Sequence, residues 1–139
     1  MTIEWNQELA TGNEEIDNQH KEMFKRFNDF QSAYSLGKAQ TELQKIFTFL
    51  DDYVKFHFAM EEDLQIRHSY PGYAVHKKEH DSFIQNFKKM EKQLDSSGVT
   101  SPLVIQANMA LVSWLFGHIK GTDREFAAFL SNALPMKEV

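Results

Sequence analysis

Residues 57–80 read HFAMEEDLQIRHSYPGYAVHKKEH, and this stretch holds four of the chain's six histidines: His57, His68, His76 and His80. The Pro71-Gly72 pair divides it into two segments of helical period. Before the turn, His57 and Glu61 are four residues apart. After it, His76 and His80 are four apart. Residues at that spacing lie one above the other on a helix, with Cβ atoms roughly 5–6 Å apart. The stretch therefore reads as two helices joined by a tight turn, each carrying a pair of metal-ligand side chains on one face. His68 fails the same test: it stands beside Arg67 at the end of its helix and is expected to be exposed.

Working outward, the same period continues in both directions. Ile16, His20, Met23, Phe27, Phe30 and Tyr34 recur at steps of three and four, which predicts a helix over about 14–36 with Asn13 as its cap. The second helix is expected over about 40–67, with Leu43, Ile46, Leu50, Tyr53, His57, Met60, Glu61 and Leu64 on one face. The third runs over about 73–95, ending before Gly98. The fourth starts at Ser101-Pro102, read as a cap followed by proline at the first helical position. It carries Ile105, Leu111, Trp114, Leu115, His118 and Ile119. The pattern slips at Gly121, and a short helical tail follows through about Leu130. The expected fold is all-α: an antiparallel up-down four-helix bundle over about 14–130, within a single domain of 139 residues. An N-terminal arm anchored by Trp5 should lie along its outside.

Composition narrows the function classes. With no cysteine, disulfides, thiolate metal sites and thiol catalysis are excluded. A net charge of −5, with basic residues interleaved with acids, argues against nucleic-acid binding. No apolar run approaches the ~18 residues of a bilayer span, and no signal peptide is visible, so a cytoplasmic protein without membrane insertion is expected. Twelve phenylalanines predict an aromatic core.

His20, His57, His76, His80 and His118 each occupy a position that the apolar stripe should fill. Unpaired buried imidazoles would cost roughly 1–3 kcal/mol each. A shared metal centre removes that cost. His118 and Asp123 are five apart, about 140° in azimuth on an ideal helix. A break or tightening at Gly121 is therefore expected to turn Asp123 inward. Glu62 and Asp63 are turned away from Glu61 and read as solvated. Asp17 reads as a surface residue or an outer partner of His20. HKKEH also matches the inverted zincin pattern, with Glu79 as base and His76 and His80 on zinc. That reading leaves the other three interior histidines without a role.

The full order is His20, then HFAMEE (57–62), HKKEH (76–80) and HIKGTD (118–123). Together with EEIDNQHKEMF, the YPGY turn and WLFGHIKGTDREF, it resembles the hemerythrin family in its bacterial single-domain form, over about residues 3–130. The resemblance implies two iron ions (Fe2+/Fe3+) with a bridging oxo or hydroxo group. His76, His80 and His118 would hold one iron, His20 and His57 the other, and Glu61 and Asp123 would bridge them. It implies reversible dioxygen binding for transport, storage or delivery rather than enzymatic turnover. An oxygen-consuming partner protein would receive the gas. An oxygen or redox sensor, or an oxidase or peroxidase with the same centre, is the alternative. No output domain follows the bundle, which is what a carrier or store is expected to show. Met23, Phe24, Leu115 and Ile119 are the candidate walls of the oxygen pocket, and Phe116 either narrows the access path or covers the exterior.

Overall fold

The computed structural model describes residues 4–133. Four long helices follow one another: α1 (Glu14–Ser35), α2 (39–67), α3 (Tyr73–Ser97) and α4 (101–133). No strand occurs among the described residues.

Each helix end has a local cause. The Asn13 side chain accepts a hydrogen bond from the Ile16 amide (3.0 Å) and caps α1. Glu14, Glu15 and Asp17 in its first turn favour the positive end of the helix dipole. α3 ends at Gly98, whose φ of 72° is accessible to glycine without strain. α4 is capped by Thr100, which accepts from the Leu103 amide (3.3 Å). Ser101 and Pro102 are thus already inside the first turn, one place further in than the sequence suggested.

The arm before α1 folds as expected. Its 3-10 turn, Gln7–Leu9, buries Leu9. Trp5 packs against the core, with the Lys21 ammonium 4.4 Å above its ring. Asp17 proves to be the tie: its Oδ1 accepts from both the amide (2.9 Å) and the hydroxyl (2.8 Å) of Thr11. Asp17 is therefore a buried clamp on the arm, not a surface residue.

The core is aromatic. Phe27, Phe30, Phe58, Phe87 and Phe126 are among the fully buried side chains. Two positions differ from the stripe read from sequence. Ile105 is 49 % exposed, because the inward face of α4 is set by Leu103, Val104, Ala107 and Leu111. Tyr34 lies at the end of α1 and is 37 % exposed.

Two helices change pitch beside the histidines. α2 contains a π turn, Tyr53–His57, between the α segments Ala39–Asp52 and Phe58–Arg67. α4 contains a longer one, Trp114–Asp123. A break or tightening at Gly121 does not occur. The helix widens instead, and a residue five positions on then falls on the same face. Space does not require Gly121, since a Cβ there would meet nothing within 4 Å. By length and composition, Ser101–Asn132 is also long and apolar enough to cross a membrane, which the sequence reading did not anticipate. Here that helix packs Leu111, Leu115 and Ile119 into the core and carries His118 and Asp123 in the interior, as a core helix does.

Candidate metal centre

Seven polar side chains meet in the middle of this apolar core: His20 from α1, His57 and Glu61 from α2, His76 and His80 from α3, and His118 and Asp123 from α4. All are 0–4 % exposed. Their donor atoms form two overlapping groups, each within a 4.8 Å span. Glu61, His76, His80, His118 and Asp123 make one; His20, His57, Glu61 and Asp123 make the other. Both carboxylates belong to both groups. His68 belongs to neither and stands at the end of α2, half-buried.

The outer nitrogens explain how the rings are oriented. His57 Nδ1 donates to Gln19 Oε1 (2.6 Å), His80 Nδ1 to Glu62 Oε2 (2.8 Å), and His118 Nδ1 to Glu79 Oε1 (2.7 Å). Such bonds fix the tautomer and leave the Nε2 lone pair facing inward. At His76, Nδ1 lies 2.8 Å from the Gln65 amide nitrogen, while Gln65 Oε1 has no partner. Exchanging the oxygen and nitrogen of that amide satisfies both groups. Stacking holds the ring planes: Tyr53 on His57 (4.6 Å, 11°), Phe58 on His80 (4.0 Å, 0°) and Trp114 on His118 (3.8 Å, 8°). The Trp114 indole N–H donates to the Tyr53 hydroxyl (3.2 Å), joining two of these supports.

Glu62 is thus not solvated. It reaches across to α3 and orients His80, with its side chain 18 % exposed. Glu79 is likewise engaged: besides His118 it accepts from the Thr122 hydroxyl (2.8 Å). The zincin reading needs Glu79 free as a base, and the structure gives it this positioning contact instead. Phe116 is 43 % exposed and carries the Lys120 ammonium 5.5 Å from its ring, so it covers the exterior.

The inner face is where a cation fits. His76 Nε2 lies 2.7 Å from Asp123 Oδ1 and 2.9 Å from Glu61 Oε1. His80 Nε2 lies 3.0 Å from Glu61 Oε1, and His20 Nε2 and His118 Nε2 each lie 3.0 Å from Asp123. At His76, His80 and His118, where Nδ1 is already engaged by an outer partner, these are lone pairs facing carboxylate oxygens. Among the described residues, both ring nitrogens of His20, Nε2 of His57, His76 and His118, Oε2 of Glu61 and both oxygens of Asp123 have no hydrogen-bond partner. Buried polar atoms left in that state are strongly unfavourable. Either protons or metal cations must fill the space between them, and nitrogen and oxygen donors of this kind suit a transition metal.

Without metal, protons take that role. Burial works against a charged His76, but the Asp123 and Glu61 carboxylates outweigh it and raise its pKa to about 10. Burial and the Asp123 charge oppose ionisation of Glu61, yet hydrogen bonds from His76 and His80 bring its pKa to about 2. His57 is held neutral, at about 3, by burial and by the neighbouring His20 charge. Metal uptake at pH 7 must therefore displace the His76 proton. Loading is expected to release at least one proton per chain, read by calorimetry in buffers of differing ionisation enthalpy. The sign follows: binding weakens as pH falls. Buffer-independent heats at pH 7 would contradict this account.

Fold and site together define an all-helical protein with a buried, histidine-rich pair of cation-binding groups. The chain belongs to the hemerythrin family: the model of the hemerythrin HHE cation binding domain matches residues 11–130. It is 30% identical over 128 residues to the bacteriohemerythrin of Stenotrophomonas maltophilia, covering 88% of this chain and 78% of that one. It is 31% identical to the bacteriohemerythrin of Clostridium acetobutylicum, over 88% of this chain and 96% of that one. A hemerythrin-like protein of Naegleria gruberi is 31% identical over 91% of this chain and 92% of its own.

Proposed function

We propose that this chain binds dioxygen reversibly at a di-iron centre and serves as an oxygen carrier, store or delivery protein, on an antiparallel up-down four-helix bundle. The observation that carries the reading is the pair of overlapping donor groups sharing Glu61 and Asp123. Shared carboxylates are what two adjacent cations need, and a single-metal site needs no second group.

In this reading His76, His80 and His118 would hold one iron and His20 and His57 the other, with Glu61 and Asp123 shared between the two groups. When bound, the iron pair would supply a coordination site and two reducing equivalents for dioxygen. The chain contributes the rest. Five neutral imidazoles and only two carboxylates hold the donor set at a low negative charge, which favours stopping at reversible binding over breaking the O–O bond. Met23, Phe24, Leu115 and Ile119 are 0–3 % exposed and form the dry wall that keeps water from the bound gas. The two clefts beside Tyr53 and beside Trp114 are lined by none of these four side chains.

The test is an oxygen cycle. The iron-loaded protein is reduced without air, exposed to oxygen, then stripped under inert gas while the visible spectrum and iron per chain are followed. Two irons and a charge-transfer band that appears and disappears over repeated cycles are expected. A single irreversible conversion to the ferric form would replace this reading with a redox sensor or an oxidase or peroxidase using the same residues.

A further inference from the structure

The two donor groups are built unequally. In the five-residue group every histidine has an outer partner: Glu62 behind His80, Glu79 behind His118 and Gln65 behind His76. Two of these partners are carboxylates. The Thr122 hydroxyl steadies Glu79, and the Lys77 ammonium lies 3.7 Å from Glu62. In the four-residue group, His57 has only the neutral Gln19 amide, and His20 Nδ1 has no hydrogen-bond partner among the described residues. A carboxylate accepting the outer N–H of an imidazole makes it a stronger ligand, and losing one such partner typically costs ~10–100-fold in metal affinity. Imidazole count adds in the same direction, three against two.

We infer that the centre fills in a fixed order: the group of His76, His80 and His118 takes the first ion tightly, and the group of His20 and His57 takes the second weakly and exchangeably. The shared carboxylates reinforce the order. Once Glu61 Oε1 and Asp123 Oδ1 hold one dication, a second must approach that charge through the other oxygen of each carboxylate, whose negative charge the first ion has already drawn on. The chain therefore has a stable one-metal state, and Glu62 and Glu79 are positioning residues that set which half is occupied in it. The inference rests on the metal-centre reading, and its test separates the two.

The metal-free full chain is titrated without air with cobalt(II), following d–d absorption and heat. Two resolved steps are expected, the first at least ~10-fold tighter. Glu79→Gln should weaken the tight step by ~10–100-fold, whereas Gln19→Leu should weaken only the second. Circular dichroism of each metal-free variant checks its fold, and Glu62→Gln probes the same group should Glu79→Gln not fold. Equal steps in the natural chain, or a tight step spared by Glu79→Gln and weakened by Gln19→Leu, would overturn the order and leave the metal centre standing. No cobalt uptake by the natural chain would overturn both.

Discussion

Asp123→Ala is expected to abolish metal binding at both groups and to destabilise the metal-free chain by about 3–5 kcal/mol, the cost of removing one partner from a buried ion pair. Asp123 is 1 % exposed. Its Oδ1 lies 2.7 Å from His76 Nε2 and 3.0 Å from His118 Nε2, and its Oδ2 lies 3.0 Å from His20 Nε2. Burial opposes its ionisation, but the His118 and His20 rings outweigh that and hold its carboxyl well below the usual range. Alanine would leave His76, protonated in the metal-free state, with one carboxylate in place of two. Both donor groups would also lose a shared oxygen ligand. Asp123→Asn keeps the shape and removes the charge, so its metal content should also fall. Metal per chain and thermal unfolding of loaded and metal-free protein read both effects. His68→Ala is the control. His68 belongs to neither group, and its loss should leave metal content unchanged and stability within about 0.5 kcal/mol. If Asp123→Ala kept two metals, or both variants lost metal equally, the assignment of the centre would fail.

Six of the seven interior residues were legible because each puts a polar group where the helical stripe calls for an apolar one. That contradiction is visible without any structure. Asp123 falls off that stripe on an ideal helix and was reached through its place in HIKGTD. The outer partners were not legible. Gln19, Glu62 and Glu79 each adjoin a site residue in sequence, next to His20, Glu61 and His80. A helix neighbour is rotated by about 100°, so on its own helix each appears to face outward. They sit instead on seams between helices: Glu62 of α2 reaches His80 of α3, and Glu79 of α3 reaches His118 of α4. Only Gln65 left a trace, being four residues past Glu61 on the buried stripe. The helix boundaries followed from Asn13, the Pro71-Gly72 turn and Gly98, residues whose local chemistry ends or starts helices. The pitch changes did not. A π turn has no composition of its own, and the Tyr53–His57 turn lies in a stripe that reads smoothly as α. In α4 the five-residue spacing of His118 and Asp123 was the one sign, and it was assigned to a break at Gly121 when the backbone had widened.

That difference makes the second large effect testable. Inserting one alanine after Gly121 should rotate everything beyond it by about 100° relative to His118. The aspartate would leave the donor groups. Phe126, Ala127 and Leu130, each 0–2 % exposed, would turn out of the core. Full burial of a phenylalanine or leucine is worth about 1.5–3 kcal/mol, so those two alone forfeit about 3–6 kcal/mol. Deleting Gly121 acts in the opposite sense. It brings His118 and the aspartate to a four-residue spacing, about 40° apart on an α-helix, which keeps them on one face without a π segment. The deletion should therefore retain metal and the packing of the C-terminal turn far better than the insertion. Metal per chain and near-ultraviolet circular dichroism of the two variants decide the matter. Equal damage from both would mean that backbone length at Gly121, and not the register between His118 and Asp123, is what the centre depends on. The expected asymmetry would show that the widened helix accommodates one residue more than an α-helix needs, and that this accommodation places the shared Asp123 carboxylate. Pitch changes of this kind recur at functional sites because they re-aim one side chain while the rest of the helix stays in place.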